Sequence, residues 1–269
     1  MTDLLILAAV MLATGAVGGV LAGLLGIGGG IVIVPALDAA LSFLQVDPAI
    51  RMHMAVATSL ATIIPTSIAS SRAHHKRAAV DIDLVRRWAI FVILGSLLGS
   101  FIAAQVDSSV LYIVFASVAL IIAIKQVLPL KGKTLSQDVP RGSLVLLVPT
   151  GIGTISSMMG IGGGTLSVAA LTLFNQPIHK AVGTAALFGL AISLPGTIGF
   201  MVAGFDDPRL PPGSIGYVNL IGFALISPMA VLTAPIGASI AHRLSQRQLS
   251  LVFGIFLLAM SVRMIWRAI

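Results

Sequence analysis

The stretch GLLGIGGGIVIVPAL (Gly23–Leu37) contains the five letters GIGGG, and MMGIGGGTLSVAAL (Met158–Leu171) contains them again. Each copy lies inside a hydrophobic run. Glycine weakens a helix, because a residue without Cβ loses the most backbone freedom on folding. Three consecutive glycines at the same place in two apolar runs therefore predict that both runs are helices broken at the glycines.

The composition around these breaks is that of a membrane protein. Of the 269 residues, 57% are hydrophobic and only 9% are charged, whereas a soluble domain has about 25% charged residues. Apolar runs of about 20 residues, the length that crosses a bilayer as a helix, recur from end to end. We therefore predict an all-α polytopic membrane protein whose function lies in or across the bilayer.

Eight runs are predicted to be full spans. They are roughly Leu4–Leu25, His53–Ser71, Leu84–Gln105, Val110–Leu128, Ser143–Met158, Ala181–Ala203, Ile215–His242 and Leu249–Ile265. Two further segments, Ile31–Leu44 and Thr165–Phe174, follow the glycine breaks and are short for a crossing. They either cross as half-helices, which gives ten crossings, or re-enter the membrane as hairpins.

The second half of the chain repeats the first. HMAVAT (His53–Thr58) corresponds to HKAVGT (His179–Thr184), and GSLLGSFIAA (Gly95–Ala104) corresponds to TAPIGASIAH (Thr233–His242). Order and spacing agree, which indicates an internal duplication. The polar segment KGKTLSQDVPR divides the copies, so we predict a first transmembrane repeat at 1–130, a cytoplasmic linker at 131–141 and a second repeat at 142–269.

Several function classes are disfavoured. The net charge of +7 comes from basic residues in short loops, a positive-inside pattern rather than a nucleic-acid surface. There is no cysteine, and no His, Asp and Glu cluster with metal-ligand spacing, so we expect no metal, no cofactor and no enzyme. The histidine pair in RAHHKR (Arg72–Arg77) is interpreted as part of a cytoplasmic loop.

Two halves that each carry a Gly-interrupted short helix are typical of secondary transporters. Backbone groups freed by a break cannot face lipid, so they face protein or a polar cavity. A half-helix that begins there directs its positive N-terminus at an anion. The predicted substrate-binding glycines are Gly28, Gly29, Gly30, Gly162, Gly163 and Gly164. Glycines at four-residue spacing are assigned to helix packing instead; these are Gly15, Gly19, Gly23, Gly95 and Gly99.

Hydroxyl and imidazole side chains near the breaks complete the predicted binding site. Thr58, Ser59 and Thr184 either donate to an oxyanion or bond a carbonyl of their own helix. His53 and His179 occupy equivalent repeat positions and either bind anion or protons, or lie at the interface.

Asp38 is a carboxylate within a short apolar segment. Intramembrane charges are expensive and usually functional, so it is the candidate for proton coupling. The alternative is that the segment ends early and Asp38 is interfacial.

The paired GIGGG cores, each followed by an HxAVxT element (HMAVATSL and HKAVGTAAL), resemble the sulfite exporter TauE/SafE family. So does PTSIASSRAHHKRAAVD (Pro65–Asp81). The resemblance implies a small bacterial inner-membrane permease for sulfite, sulfoacetate or related sulfonates. The sequence departs from the family at Ala185, where a serine is usual, and in the loop Ala203–Gly213, which leaves the substrate open.

We therefore expect a multi-pass transporter in the bacterial inner (plasma) membrane, with a small anion and the lipid bilayer as partners and no nucleic acid. It has no ATP-binding loop, so an ion gradient is the expected energy source. An anion channel is the alternative, and a membrane-embedded enzyme is less favoured. A homo-oligomer is left open.

Two topologies fit the charges equally well. Inverted repeats with crossing half-helices and parallel repeats with re-entrant ones place the same number of Lys and Arg inside. We favour the inverted arrangement, because it lets the two breaks meet from opposite leaflets around one site.

Overall fold

The computed structural model describes residues 2–25, 29–76, 78–128, 144–241 and 246–268, so the linker 131–141 and Gly28 lie outside the described residues. The described parts form ten α-helices and one two-stranded β-hairpin. The helices are α1 (Thr2–Leu25), α2 (Gly30–Phe43), α3 (Pro48–Lys76), α4 (Ile82–Gln105), α5 (Ser108–Val127), α6 (Leu144–Met159), α7 (Gly164–Leu173), α8 (Ile178–Ala203), α9 (Leu220–Ala241) and α10 (Gln246–Ala268).

Six of these helices are long and apolar enough to cross a membrane, within the described residues: α3, α4, α5, α8, α9 and α10. The apolar stretches Ala8–Gly23 in α1 and Leu146–Met159 in α6 are shorter, as are α2 and α7. The chain is thus a multi-pass membrane protein. The number of crossings, eight or ten, stays a prediction.

Glycines in the left-handed backbone region begin both short helices. Gly29 precedes α2 with φ 76° and ψ −10°, and Gly163 precedes α7 with φ 70° and ψ −4°. A side chain is strained in this conformation, which is why glycine stands there. Both helices begin and end within one residue of the short segments predicted from the sequence.

The all-α prediction is confirmed for the described residues apart from a short hairpin between α8 and α9. Ser214–Ile215 pairs antiparallel with Val218–Asn219, so α9 begins at Leu220 rather than at Ile215. Gly216 has φ 52°, and a Cβ there would lie 2.1 Å from the carbonyl oxygen of Met201. This tight turn ends the extended loop before the helix can begin.

Small residues let helices from the two halves pack closely. Cβ atoms built at Gly15 and Gly19 of α1 would lie 2.5 Å and 2.3 Å from carbonyl oxygens of α9. Cβ atoms built at Gly95 and Gly99 of α4 would lie 2.1 Å and 2.3 Å from carbonyl oxygens of α6. The assignment of these four glycines to helix packing is confirmed. Helix α3, the most deeply buried of the six long helices, packs mainly against α8, α2 and α9.

Candidate functional site

The two glycine breaks touch each other at the centre of the molecule. A Cβ built at Gly30, the first residue of α2, would lie 2.4 Å from the carbonyl oxygen of Gly160 and 2.8 Å from the Cα of Ile161. Ser59 of α3 donates from Oγ to the same Gly160 oxygen at 2.7 Å. Residues far apart in the sequence therefore meet at one buried point, as the paired motifs predicted.

The second break is held by backbone conformations that favour glycine. Gly160, Gly162 and Gly163 have φ values of 69°, 51° and 70°. The first helical hydrogen bond of α7 runs from the N–H of Ser167 to the oxygen of Gly163 at 2.7 Å. The N–H groups of the preceding first-turn residues have no partner within their own helix, the general condition of a helix N-terminus.

Six buried hydroxyl groups lie on the three helices that form and flank the second break. We call these residues the hydroxyl cluster: Ser156, Ser157, Thr165, Ser167, Ser193 and Thr197. Their oxygens have no hydrogen-bond partner among the described residues. A buried hydroxyl without a partner costs about 1–3 kcal/mol, so these groups are candidates for hydrogen bonds to a ligand.

Close contacts place Ser156 at the break and Ser157 against α8. The Cβ position of Gly163 lies 3.3 Å from the Oγ of Ser156, and that of Gly196 on α8 lies 2.8 Å from the Oγ of Ser157. Ser193 and Thr197 are four residues apart on α8 and so share one face of that helix.

The sequence analysis missed these hydroxyls, although a signal was present. When the GIGGG motifs are aligned, the first half has no hydroxyl at the positions that correspond to the cluster's serines and threonine on α6 and α7. The first-half residues there are Ala22, Gly23, Ile31 and Ile33. The two breaks share a backbone conformation, but the hydroxyls of α6 and α7 have no counterpart at the corresponding positions of α1 and α2.

Thr58 and Thr184 make matching contacts away from the breaks. Thr58 Oγ1 accepts from the N–H of Asn219 at 2.9 Å, and Thr184 Oγ1 accepts from the N–H of Asp81 at 3.0 Å. Asn219 and Asp81 are themselves caps, whose Oδ1 atoms accept from the third N–H beyond them, in α9 and α4. Each threonine thus accepts a hydrogen bond at the start of a helix from the other half of the chain. Neither hydroxyl donates to a carbonyl of its own helix, which was the alternative interpretation of the sequence.

The two predicted histidines are not brought together. His53 is buried, and its Nε2–H donates to the carbonyl oxygens of Ala103 at 2.9 Å and Val106 at 3.1 Å. His179 is exposed in the first turn of α8. Equivalent sequence positions therefore have different environments, and neither imidazole contacts the glycine breaks in the described structure.

Asp38 is fully buried in α2, because the helix continues beyond it to Phe43. The segment therefore does not end before Asp38, as the alternative interpretation supposed. The hydroxyl of Tyr112 donates to its Oδ1. The guanidinium groups of Arg263 and Arg267 lie 3.8 Å and 3.7 Å from its Oδ2. A charged contact therefore joins α2, α5 and α10 at one end of the molecule.

The loop before the hairpin closes the same end of the molecule, outside the spanning helices. Arg209 donates to Asp207 from Nε at 2.9 Å and from Nη2 at 2.7 Å. Hydrogen bonding from Arg209 lowers the pKa of Asp207 to about 2. Tyr217 donates to the same carboxylate, and its ring lies 5.2 Å from that of His53 between centroids.

Comparisons with known proteins agree with this architecture. A protein of Haemophilus influenzae described as a "probable membrane transporter protein" is 34% identical over 255 residues, covering 94% of this chain and 96% of that protein. Proteins with the same description from Bacillus subtilis and Methanocaldococcus jannaschii are 25% and 24% identical. They cover 97% and 98% of this chain, and 98% and 97% of their own lengths.

No solved structure matches this chain. The family comparison covers almost the whole chain. The sequence model described as sulfite exporter TauE/SafE matches residues 11–264, which include both glycine breaks and the helices that flank them. The chain therefore belongs to the sulfite exporter TauE/SafE family of membrane transporters.

Proposed function

We propose that this protein is a secondary transporter of a small sulfur-containing or organic anion, such as sulfite, sulfoacetate or a related sulfonate. The observation that carries the proposal is the contact between the two glycine breaks at the buried centre, where Gly30 meets Gly160. Broken helices that meet near the midplane are the usual substrate site of secondary transporters. The positive end of a half-helix at that point suits an anion.

Inverted repeats are part of this proposal, and helix direction supports them. Gly189 of α8 lies against Ser67 of α3, whereas Gly196 lies against Leu60, so residue numbers rise along one helix as they fall along the other. Helices α3 and α8 occupy equivalent repeat positions and run antiparallel. Equivalent helices of parallel repeats would point the same way.

Helices α5 and α10 are the last of each half and give the same result. Gly254 of α10 lies against Val127 at the end of α5, while Ser261 donates to the oxygen of Ala116 at 2.8 Å. These two helices also run antiparallel. The matching threonine contacts to Asn219 and Asp81 fit the same two-fold relation.

The ends of the helices suggest the orientation in the inner membrane. The described basic residues at the end with the Asp38 contact and the hairpin are Arg51, Arg209, Arg263 and Arg267. Those at the opposite end are more numerous: Arg72, Lys76, Arg86, Arg87, Lys125, Lys180 and Arg247. By the positive-inside rule the second end is cytoplasmic.

Asp38 is the proposed coupling residue. A carboxylate buried in a membrane protein is costly, and the arginines near it come from α10. Protonation of Asp38 would release those arginines and loosen α2 from α10. Since α2 begins at the first glycine break, this gives a physical route from a proton to the proposed anion site.

Transport by purified protein in proteoliposomes tests the proposed function. A secondary transporter should exchange radiolabelled sulfite against internal sulfite faster than it allows net flux, and it should respond to an imposed pH gradient. Uptake with neither counterflow nor pH response would indicate an anion channel. Absence of flux for sulfite, sulfoacetate and other sulfonates would reject the proposed function.

A further inference from the structure

We propose that the hydroxyl cluster and the N-terminus of α7 together bind a singly charged oxyanion, so that the binding site belongs mainly to the second half of the chain. This inference rests on the proposed function and specifies its site and the charge of its ligand. The relevant oxyanions carry one negative charge on an SO₃ group, as hydrogensulfite and alkylsulfonates do.

The unequal chemistry of the two breaks is the first step of the argument. Gly29 and Gly163 have nearly the same backbone angles, so both breaks offer a helix N-terminus. In α2 the N–H groups of Val32 and Ile33 both bond the oxygen of Gly29, at 2.9 Å and 3.1 Å. The side chains at the start of α2 are aliphatic. Within the described residues, unpartnered buried hydroxyl groups accompany only the second break. The buried Thr62 and Thr66 of α3, by contrast, donate to carbonyl oxygens of their own helix.

The unpartnered state of these hydroxyls is the second step. Serine and threonine in membrane helices usually bond a carbonyl of their own helix, as Thr172 does with Val168 at 2.9 Å. The cluster residues are buried and make no such bond. Ser156 lies next to Gly163, the cap of α7. The Ser156 hydroxyl and the free N–H groups at the start of α7 are hydrogen-bond donors, and they match the acceptors of an SO₃ group.

The charge of the ligand is the third step: no Lys or Arg of the described residues lies near the hydroxyl cluster, which favours a ligand with a single negative charge. The described helices that carry or face the hydroxyl cluster have their Lys and Arg residues near the helix ends. These residues are roughly two turns or more away from the cluster along the helix axis. On α8, for example, Lys180 lies about 20 Å before Ser193. The cost of removing an ion from water rises with the square of its charge. A dianion therefore costs about four times as much to remove from water as a monoanion, and neutral donors without a buried cation favour the monoanion.

Ligand-induced thermal stabilisation of the purified protein tests the charge preference. Methanesulfonate is a permanent monoanion and sulfate is a dianion, so their comparison does not depend on pH or on proton coupling. Saturable stabilisation by methanesulfonate, with little from sulfate at matched ionic strength, is expected. Equal or tighter binding of sulfate would overturn the proposal.

Single variants test the site. Ser156→Ala and Ser193→Ala should each weaken methanesulfonate binding about tenfold, the effect of losing one hydrogen bond to a charged group. The melting temperature without ligand should stay the same or rise, because each change removes an unsatisfied buried group. A merely structural serine would instead lower it.

Ser71→Ala is the matched control, since Ser71 is buried and donates to Ile68 of its own helix at 3.1 Å. It should leave the affinity unchanged. Wild-type affinity in both cluster variants, or an equal loss in the control, would refute the site. If the wild-type protein moves anions but the cluster variants bind normally, this inference fails alone. If the wild-type protein moves no anion, the proposed function fails.

Discussion

Replacing Gly30 by alanine tests whether direct contact between the two glycine breaks is required for transport. The added Cβ would lie 2.4 Å from the carbonyl oxygen of Gly160, whereas an ordinary contact is 3.4–4 Å. The neighbouring atoms include backbone of Gly160 and Ile161, which a side-chain rotation cannot move. The breaks must therefore separate by about 1 Å, which also lengthens the hydrogen bond from Ser59 to Gly160.

The expected cost follows from three terms. Overpacking that forces a backbone shift costs about 1–3 kcal/mol, and the weakened hydrogen bond adds about 0.5–1.5 kcal/mol. This cost is partly offset, because alanine stabilises a helix by about 0.5–1 kcal/mol relative to glycine. The net destabilisation is thus about 2 kcal/mol, with loss of most transport.

Gly151→Ala is the matched control, since Gly151 lies inside α6 and a Cβ there meets nothing within 4 Å. It should stabilise the protein by about 0.5–1 kcal/mol and leave sulfite exchange intact. Unfolding in a denaturing detergent, followed by tryptophan fluorescence, gives the stability, and proteoliposome exchange gives the activity. Normal stability and exchange in Gly30→Ala would show that the breaks need not touch.

Three further predictions follow from the ends of the molecule. The chain has no cysteine, so single cysteines can be labelled selectively. An impermeant maleimide applied to intact cells should label the variant Asp206→Cys and leave Lys180→Cys unlabelled. The reverse pattern would reject the proposed orientation. Asp38→Asn should retain anion exchange but lose its response to a pH gradient, and a full response would move coupling elsewhere. The pKa of Asp207 falls from 3.8 to about 2 in the folded loop. The stability that this carboxylate contributes is therefore complete above pH 3.8 and is lost as the pH falls through about 2. Hydrogen exchange in the loop should increase over that acid range, and Asp207→Asn, which cannot titrate, should show no such increase.

Much of the helical architecture was predictable from the sequence. Composition alone indicated the membrane class, because a chain with 9% charged residues cannot cover a water-exposed surface. The starts of α2 and α7 were predictable, because they depend on the backbone conformations that glycine adopts, and the glycines are visible in the sequence. The hairpin before α9 was missed, because the apolar run Ile215–His242 continues through it and hydropathy does not register a turn at Gly216.

The contents of the site depended on contacts between distant residues. The sequence could pair His53 with His179, yet only the packing of α4 and the hairpin buries the first and leaves the second exposed. The same holds for Asp38, whose arginines come from the last helix of the chain. A shared sequence motif gives the two breaks the same backbone conformation, but each side chain acquires its environment from helices brought together by folding. The sequence by itself therefore determined the membrane class and the positions of the two breaks. The tertiary structure decided that they touch, and that, among the described residues, unpartnered buried hydroxyl groups lie only on the helices of the second break.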